Sequence, residues 1–182
     1  AHHIIDQARF TATVAEAVAD TSIVIGTSAR RRRWDWPTLS PTTLGDFIAD
    51  RPAAILFGPE DAGLSNADLA LCQAIVSIPT TEHRSLNLGQ AVTVIAAALR
   101  AGLPERPAPS KDDADIAMQN NAVQIILELL RGSDYLRGRP VEQVHGTLFR
   151  LLGRTRPSQR EVIALLGMLH KMRRRMRLSG EE

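Results

Sequence analysis

Three turns rich in glycine and hydroxyl residues hold the chemistry this sequence can do. They are Gly26-Thr27-Ser28-Ala29, Gly58-Pro59-Glu60-Asp61-Ala62-Gly63 and the stretch from Pro79 to Asn87, and each follows a short apolar run. Glycine lets a backbone come close to a ligand, and loop N–H and C=O groups can read a heterocycle. When such turns end parallel strands, they form the crevice in which open sheets bind ligands. Residues 26–30, 58–63 and 78–87 therefore predict a small-molecule crevice of nucleotide type. No G-x-G-x-x-G turn opens a helix, which excludes a dinucleotide-binding dehydrogenase of the usual kind. The single cysteine, Cys72, excludes an internal disulfide and a cysteine-based zinc site.

The elements that must hold these turns are legible in part. Ser22–Gly26, 54–58 (AILFG) and 74–78 (AIVSI) read as buried parallel strands. Ser65 and Asp68 have the spacing of a capping box, so Ser65–Cys72 reads as a short helix. Helical periodicity also predicts a helix over 8–19, with Phe10, Val14, Ala17 and Val18 on one face. Residues 86–99 are apolar nearly all round, which predicts a buried helix. Strand and helix in alternation imply an α/β fold with a parallel sheet. PERPAPS, residues 104–110, breaks the pattern as a linker. Beyond it, helices are expected near 112–131, 140–152 and 158–177. The last has Val162, Leu165, Leu166, Leu169 and Met172 as its core face.

Charge is uneven. The whole chain carries +2, yet Glu142–Leu178 holds nine Arg or Lys against two Glu, a local +7. A basic tail on a mildly acidic body points to a polyanion partner or to a solvated helix face. Lys171, Arg173, Arg174 and Arg175 are the candidates there. Arg30, Arg31, Arg32 and Arg33, followed by Trp34 and Trp36, read as an RNA-facing loop with charge for phosphates and rings for stacking. The alternative is a solvated loop whose tryptophans pack back on the sheet. With no run of 18 apolar residues and one cysteine, a soluble cytoplasmic protein is expected, with no membrane partner and no metal.

Phe57–Ser65 (FGPEDAGLS) resembles the second signature motif of the SpoU branch of SPOUT methyltransferases. Ser85–Val92 (SLNLGQAV) resembles the third, and Gly26–Arg30 matches the turn of tRNA methyltransferases of the TrmJ type. The resemblance covers residues 1–102 well and His145–Arg177 more loosely. It implies a sheet closed by a deep C-terminal trefoil knot and followed by a small helical extension. The division is then a methyltransferase domain over 1–103, a linker over 104–111 and a basic helical extension over 112–182. It further implies a homodimer that moves a methyl group from S-adenosylmethionine to a ribose 2′-hydroxyl of RNA, in the anticodon loop of tRNA for the TrmJ type. Thr27, Ser28, Ala29, Gly58, Ile78, Ser85, Leu86 and Asn87 would be cofactor contacts, with Glu60, Ser85 and Asn87 in positioning roles. Without that context, Glu60 reads as a helix-start carboxylate and Ser85 as a helix N-cap.

The family's first motif, an Asn followed by the catalytic Arg, is expected upstream of Ala1, because no Asn precedes Asn66. The alternative function is therefore a non-catalytic RNA-binding fragment or degenerate paralogue.

Overall fold

The computed structural model describes residues 2–28, 36–80, 86–102 and 112–179. The chain runs through α1 (His2–Asp6), α2 (Val14–Ala17), β1 (Ile23–Thr27), β2 (Thr38–Leu39), α3 (Pro41–Ile48), β3 (Ala53–Leu56), α4 (Asn66–Ala70), β4 (Ala74–Val76) and α5 (Leu88–Gly102). It then continues through α6 (Ile116–Arg131), a 3-10 turn (Asp134–Leu136), α7 (Val141–Thr155) and α8 (Gln159–Ser179). The four strands form one parallel sheet in the order β2-β4-β1-β3. β1 lies inside it, paired on both edges, and its side chains alternate between two cores. Val24 joins Leu69, Cys72, Ile75, Trp36, Val123 and Phe149 beneath α4, α6 and α7. Ile23 and Ile25 join Leu44, Ile48, Val76 and Ile95 beneath α3 and α5. Burial on both faces is why β1 reads as an unbroken apolar run rather than an alternating one. A third cluster, built from Ala122, Ile125, Val162 and Leu169, packs α8 on α6.

Several expectations need correction. The helix predicted over 8–19 shrinks to Val14–Ala17, because Thr13 caps it by accepting from the Glu16 N–H at 3.2 Å while Glu16 accepts from Ala12 N at 3.1 Å. Phe10 is 99% exposed and belongs to no packed face. Residues 37–52 held unpredicted elements, β2 and α3. α3 starts from a Ser40–Thr43 capping box with Pro41 in the first turn. α5 is not buried: Ile95 is its one buried apolar side chain, whereas Leu88, Val92 and Val94 are 39–42% exposed. It packs on α3 along one side and presents the other outward. Met172 is likewise exposed and drops out of the predicted core face of α8, while Val162 and Leu169 are buried. Trp36 is buried, its indole N–H donates to the Cys72 carbonyl at 3.3 Å, and Arg150 lies over the ring. That leaves Trp36 no face for RNA. Trp34 and the 104–111 linker lie outside the described residues.

Polar groups join the helical segment to the sheet. Gln119 on α6 donates to the Ser22 carbonyl at 3.2 Å, at the entry to β1. Buried Arg51 donates to the carbonyls of Ile48 and Phe47 at the end of α3 and to that of Gly153 in α7. Arg156 bridges Asp50 at 2.6 Å and Asp113 at 3.5 Å.

Candidate functional site

A cleft of about 300 Å³ opens beyond the carboxyl ends of β1, β3 and β4. Thr27 and Ser28 bring the first turn to it, Phe57–Leu64 the second, and Val76, Ile78 and Thr80 the third. Leu86, Leu88 and Ala91, at the start of α5, close the far wall. Ser28 N donates to the Val76 carbonyl at 3.2 Å, carrying the β1–β4 ladder one residue into the turn.

The 58–64 loop is folded tightly on itself. Gly63 N donates to the Pro59 carbonyl at 2.7 Å, and Gly63 adopts a left-handed φ of +67°. A Cβ at Gly58 would overlap the backbone of Gly63 and Leu64. The loop's own closure thus demands a glycine at this position. The loop then enters α4 through Ser65, whose hydroxyl accepts from Asp68 N at 3.1 Å while Asp68 accepts from Ser65 N at 3.0 Å.

Glu60 links this loop to α5. One carboxylate oxygen accepts from Asn87 Nδ2 at 2.7 Å and from Leu88 N at 3.0 Å. Asn87 in turn caps the helix, its Oδ1 accepting from Gly89 N at 2.9 Å. A carboxylate at the amino end of a 15-residue helix satisfies an orphan N–H and meets the positive end of the dipole. Each polar end of Asn87 has a partner in this arrangement, and Asn87 is exposed and is not among the residues that line the cleft.

Of the expected cofactor contacts, Thr27, Ser28, Gly58, Ile78 and Leu86 line the cleft. Ala29 and Ser85 lie outside the described residues, as do Arg30, Arg31, Arg32 and Arg33. The sequence reading missed Phe57, Leu64 and Leu88 as lining residues. Phe57 and Leu64 lie within the FGPEDAGLS motif and Leu88 within SLNLGQAV, so the motifs themselves held that signal. On α8, Lys171, Arg174 and Arg175 are exposed. Arg173 instead bridges Glu128 of α6 at 3.0 Å and donates to His170 Nδ1 at 3.1 Å. Cys72 is fully buried, and burial with the nearby Asp68 carboxylate pushes its thiol far up, so it is inert core.

Residues 2–97 match the family described as SpoU rRNA Methylase. The tRNA (cytidine/uridine-2′-O-)-methyltransferase TrmJ of Yersinia pestis (strain Pestoides F) is 34% identical over 182 residues, spanning 93% of this chain and 71% of that protein. The protein of the same name from Klebsiella pneumoniae is 35% identical, spanning 93% and 75%. The crystal structure of TrmJ from Z. mobilis ZM4 superposes with a TM-score of 0.79 at 30% identity, covering 94% of this chain and 76% of that one.

Proposed function

The chain belongs to the SpoU methylase family, and we propose that it transfers a methyl group from S-adenosylmethionine to a ribose 2′-hydroxyl of tRNA. One observation carries this reading: Thr27, Ser28, Gly58, Ile78 and Leu86, from three separate motifs, converge on one cleft. The lining suits the cofactor, with apolar Ile78, Leu86 and Leu88 for the adenine and the Thr27, Ser28 and Thr80 hydroxyls for its polar edges. When bound, S-adenosylmethionine supplies an electrophilic methyl on a sulfonium. The chain's own residues orient and enclose. Glu60 fixes Asn87 and the first turn of α5, and thereby the wall formed by Leu86 and Leu88. Holding two reactants in line is worth up to about 7–11 kcal/mol, so precise walls matter more here than reactive side chains. Ala29 and Ser85 extend the first and third turns as further cofactor contacts.

The reading extends to a pyrimidine of the anticodon loop as target, with Arg30–Arg33 and the exposed cations of α8 on its phosphates, in the cytoplasm. The outward apolar face of α5 meets a second copy of the chain, forming a homodimer. The methyltransferase fold is closed by a deep trefoil knot. Residues 1–103 form the methyltransferase domain and 112–182 a helical extension to it.

Single-turnover incubation with S-adenosylmethionine and unmodified tRNA, followed by nuclease digestion and mass spectrometry, tests the reaction. A 2′-O-methyl pyrimidine is expected; methyl on a base, or on ribosomal RNA alone, overturns it.

A further inference from the structure

The turn between α6 and α7 carries a feature that the cleft does not use. Tyr135 is the only tyrosine of the chain, and it stands 51% exposed. The Arg139 guanidinium lies over its ring, 4.2 Å from the centroid. The local fold builds this pair. Ser133 Oγ donates to the Leu130 carbonyl at 2.8 Å and accepts from Tyr135 N at 3.3 Å, starting the 3-10 turn. Leu136 anchors the turn on the main core. Gly138, at φ +73°, then reverses the chain so that Arg139 N reaches the Leu136 carbonyl at 3.1 Å.

Cations surround the pair. Arg131 and Arg137 are exposed, and the contact of Arg137 with Asp134 is a long 3.7 Å between side chains that are 85% and 94% exposed. Such a pair holds neither charge firmly. The last turns of α8 lie alongside: a Cβ at Gly132 would sit 3.2 Å from Met176 Cε, and Arg173 reaches Glu128 at 3.0 Å. Arg173 and Met176 thereby bring the last turns of α8 against the end of α6, from segments some 45 residues apart in sequence.

We propose that Tyr135 and Arg139 form a stacking site for an unpaired nucleobase of the RNA substrate, with Arg131 and Arg137 on the flanking phosphates. This rests on the reading of the chain as an RNA-binding enzyme. An acidic peptide would be served by the cations alone. A nucleobase uses both features, since ring and guanidinium each offer a flat face for stacking. An unpaired base is required because a duplex hides those faces.

Binding of the full chain to a tRNA transcript, followed by fluorescence anisotropy at two salt concentrations, tests the site. Tyr135→Ala is expected to weaken binding about tenfold, whereas Tyr135→Phe and Tyr135→Trp stay near wild type. Arg139→Lys keeps the charge but loses the plane and weakens binding several-fold. Arg137→Ala lowers the salt slope by roughly one. Melting temperature and S-adenosylhomocysteine affinity are unchanged throughout. A single-stranded oligonucleotide competes and a duplex of equal length does not. Wild-type affinity in Tyr135→Ala overturns the site and leaves the RNA reading standing; a wild-type chain that binds no tRNA overturns both. An equal loss in Tyr135→Phe overturns stacking in favour of a hydroxyl contact. A polyglutamate peptide competing as well as the oligonucleotide overturns it in favour of an acidic protein partner.

Discussion

On one face of the sheet, Val24, Leu69, Cys72 and Ile75 lie sealed beneath α4, α6 and α7; on the other, Ile23, Ile25 and Val76 lie beneath α3 and α5, and α5 leaves Leu88, Val92 and Val94 partly in solvent. The sealed face also carries buried polar ties, with Gln119 and Arg51 reaching across to backbone carbonyls of the sheet side and of α7. Buried polar groups need such partners, and here each bond joins the sheet segment to the far end of the chain. α6 and α7 therefore pack on the α/β unit through a shared core. The α3–α5 face has spent less of its apolar surface, and a patch of that kind marks an interaction site. The cleft sits at the edge of this second face, with Leu88 and Ala91 of α5 in its wall.

The most disruptive test of that contrast is Phe149→Ala. Phe149 is fully buried in the cluster that α6 and α7 share with β1 and α4. Truncating a buried phenylalanine costs about 3–5 kcal/mol. Urea unfolding should show that loss in a single transition. Two separate transitions, with only one shifted, would mean that the helices fold apart from the sheet.

Val94→Glu probes the open face with the opposite expectation. Val94 is 40% exposed, so the isolated fold loses little, while a dimer packed through α5 must bury an unpaired carboxylate. That penalty is on the order of 2–5 kcal/mol of association energy. Sedimentation should report a dimer for wild type and a monomer for the variant, with similar melting of the monomer. A wild type that stays monomeric at tens of micromolar would remove the partner from the comparison.

The same contrast explains what the sequence could and could not tell. β1 and β4 were legible because strands covered on both faces become continuous apolar runs, and α4 was legible because Ser65 and Asp68 make a local cap. The 86–99 segment was read as buried because it is apolar on all sides. All-round apolarity marks the sides that a helix can bury, without showing whether the same chain buries them. β2 spans two residues and has no period to detect. α3 has a readable start in Ser40-Pro41, with Leu44 and Ile48 one turn apart, but eight residues between the arginine–tryptophan run and Asp50-Arg51-Pro52 are too few for a helical period to stand out. The turn motifs showed where a ligand would sit. That Glu60 ties to Asn87 and Leu88, 27 and 28 residues on, is tertiary and leaves no local mark.

Glu60→Ala sharpens the comparison at the seam between cleft and open face. Losing a helix-capping acceptor costs about 1 kcal/mol. The fold should therefore melt only slightly earlier, while S-adenosylhomocysteine affinity falls several-fold because Leu86 and Leu88 lose their support. Glu60→Gln, which keeps one acceptor oxygen, should recover most of the affinity. Unchanged affinity in Glu60→Ala would separate the carboxylate from the pocket wall.

The smallest effect is expected on the sealed face, at His145. Its Nε2 pairs with Asn120 Oδ1 at 2.9 Å, and its ring stacks on Phe149 with centroids 5.6 Å apart. Burial holds its pKa below the ordinary 6.5. The folded chain then takes up this proton less readily than the unfolded chain, so the stabilisation is full above about pH 6.5, shrinks as pH falls toward the lowered folded value, and is level below it. His145→Gln keeps an amide in reach of Asn120 and removes the titration. Urea midpoints across that window should slope for wild type and run flat for the variant. Asp50 does not blur the window: its hydrogen bond to Arg156 holds its carboxyl below the ordinary 3.8, so its contribution is intact above that value and is lost only in stronger acid. Parallel slopes in wild type and variant would place the acid sensitivity outside the α6–α7 contact and leave the sealed face without a titrating group of its own.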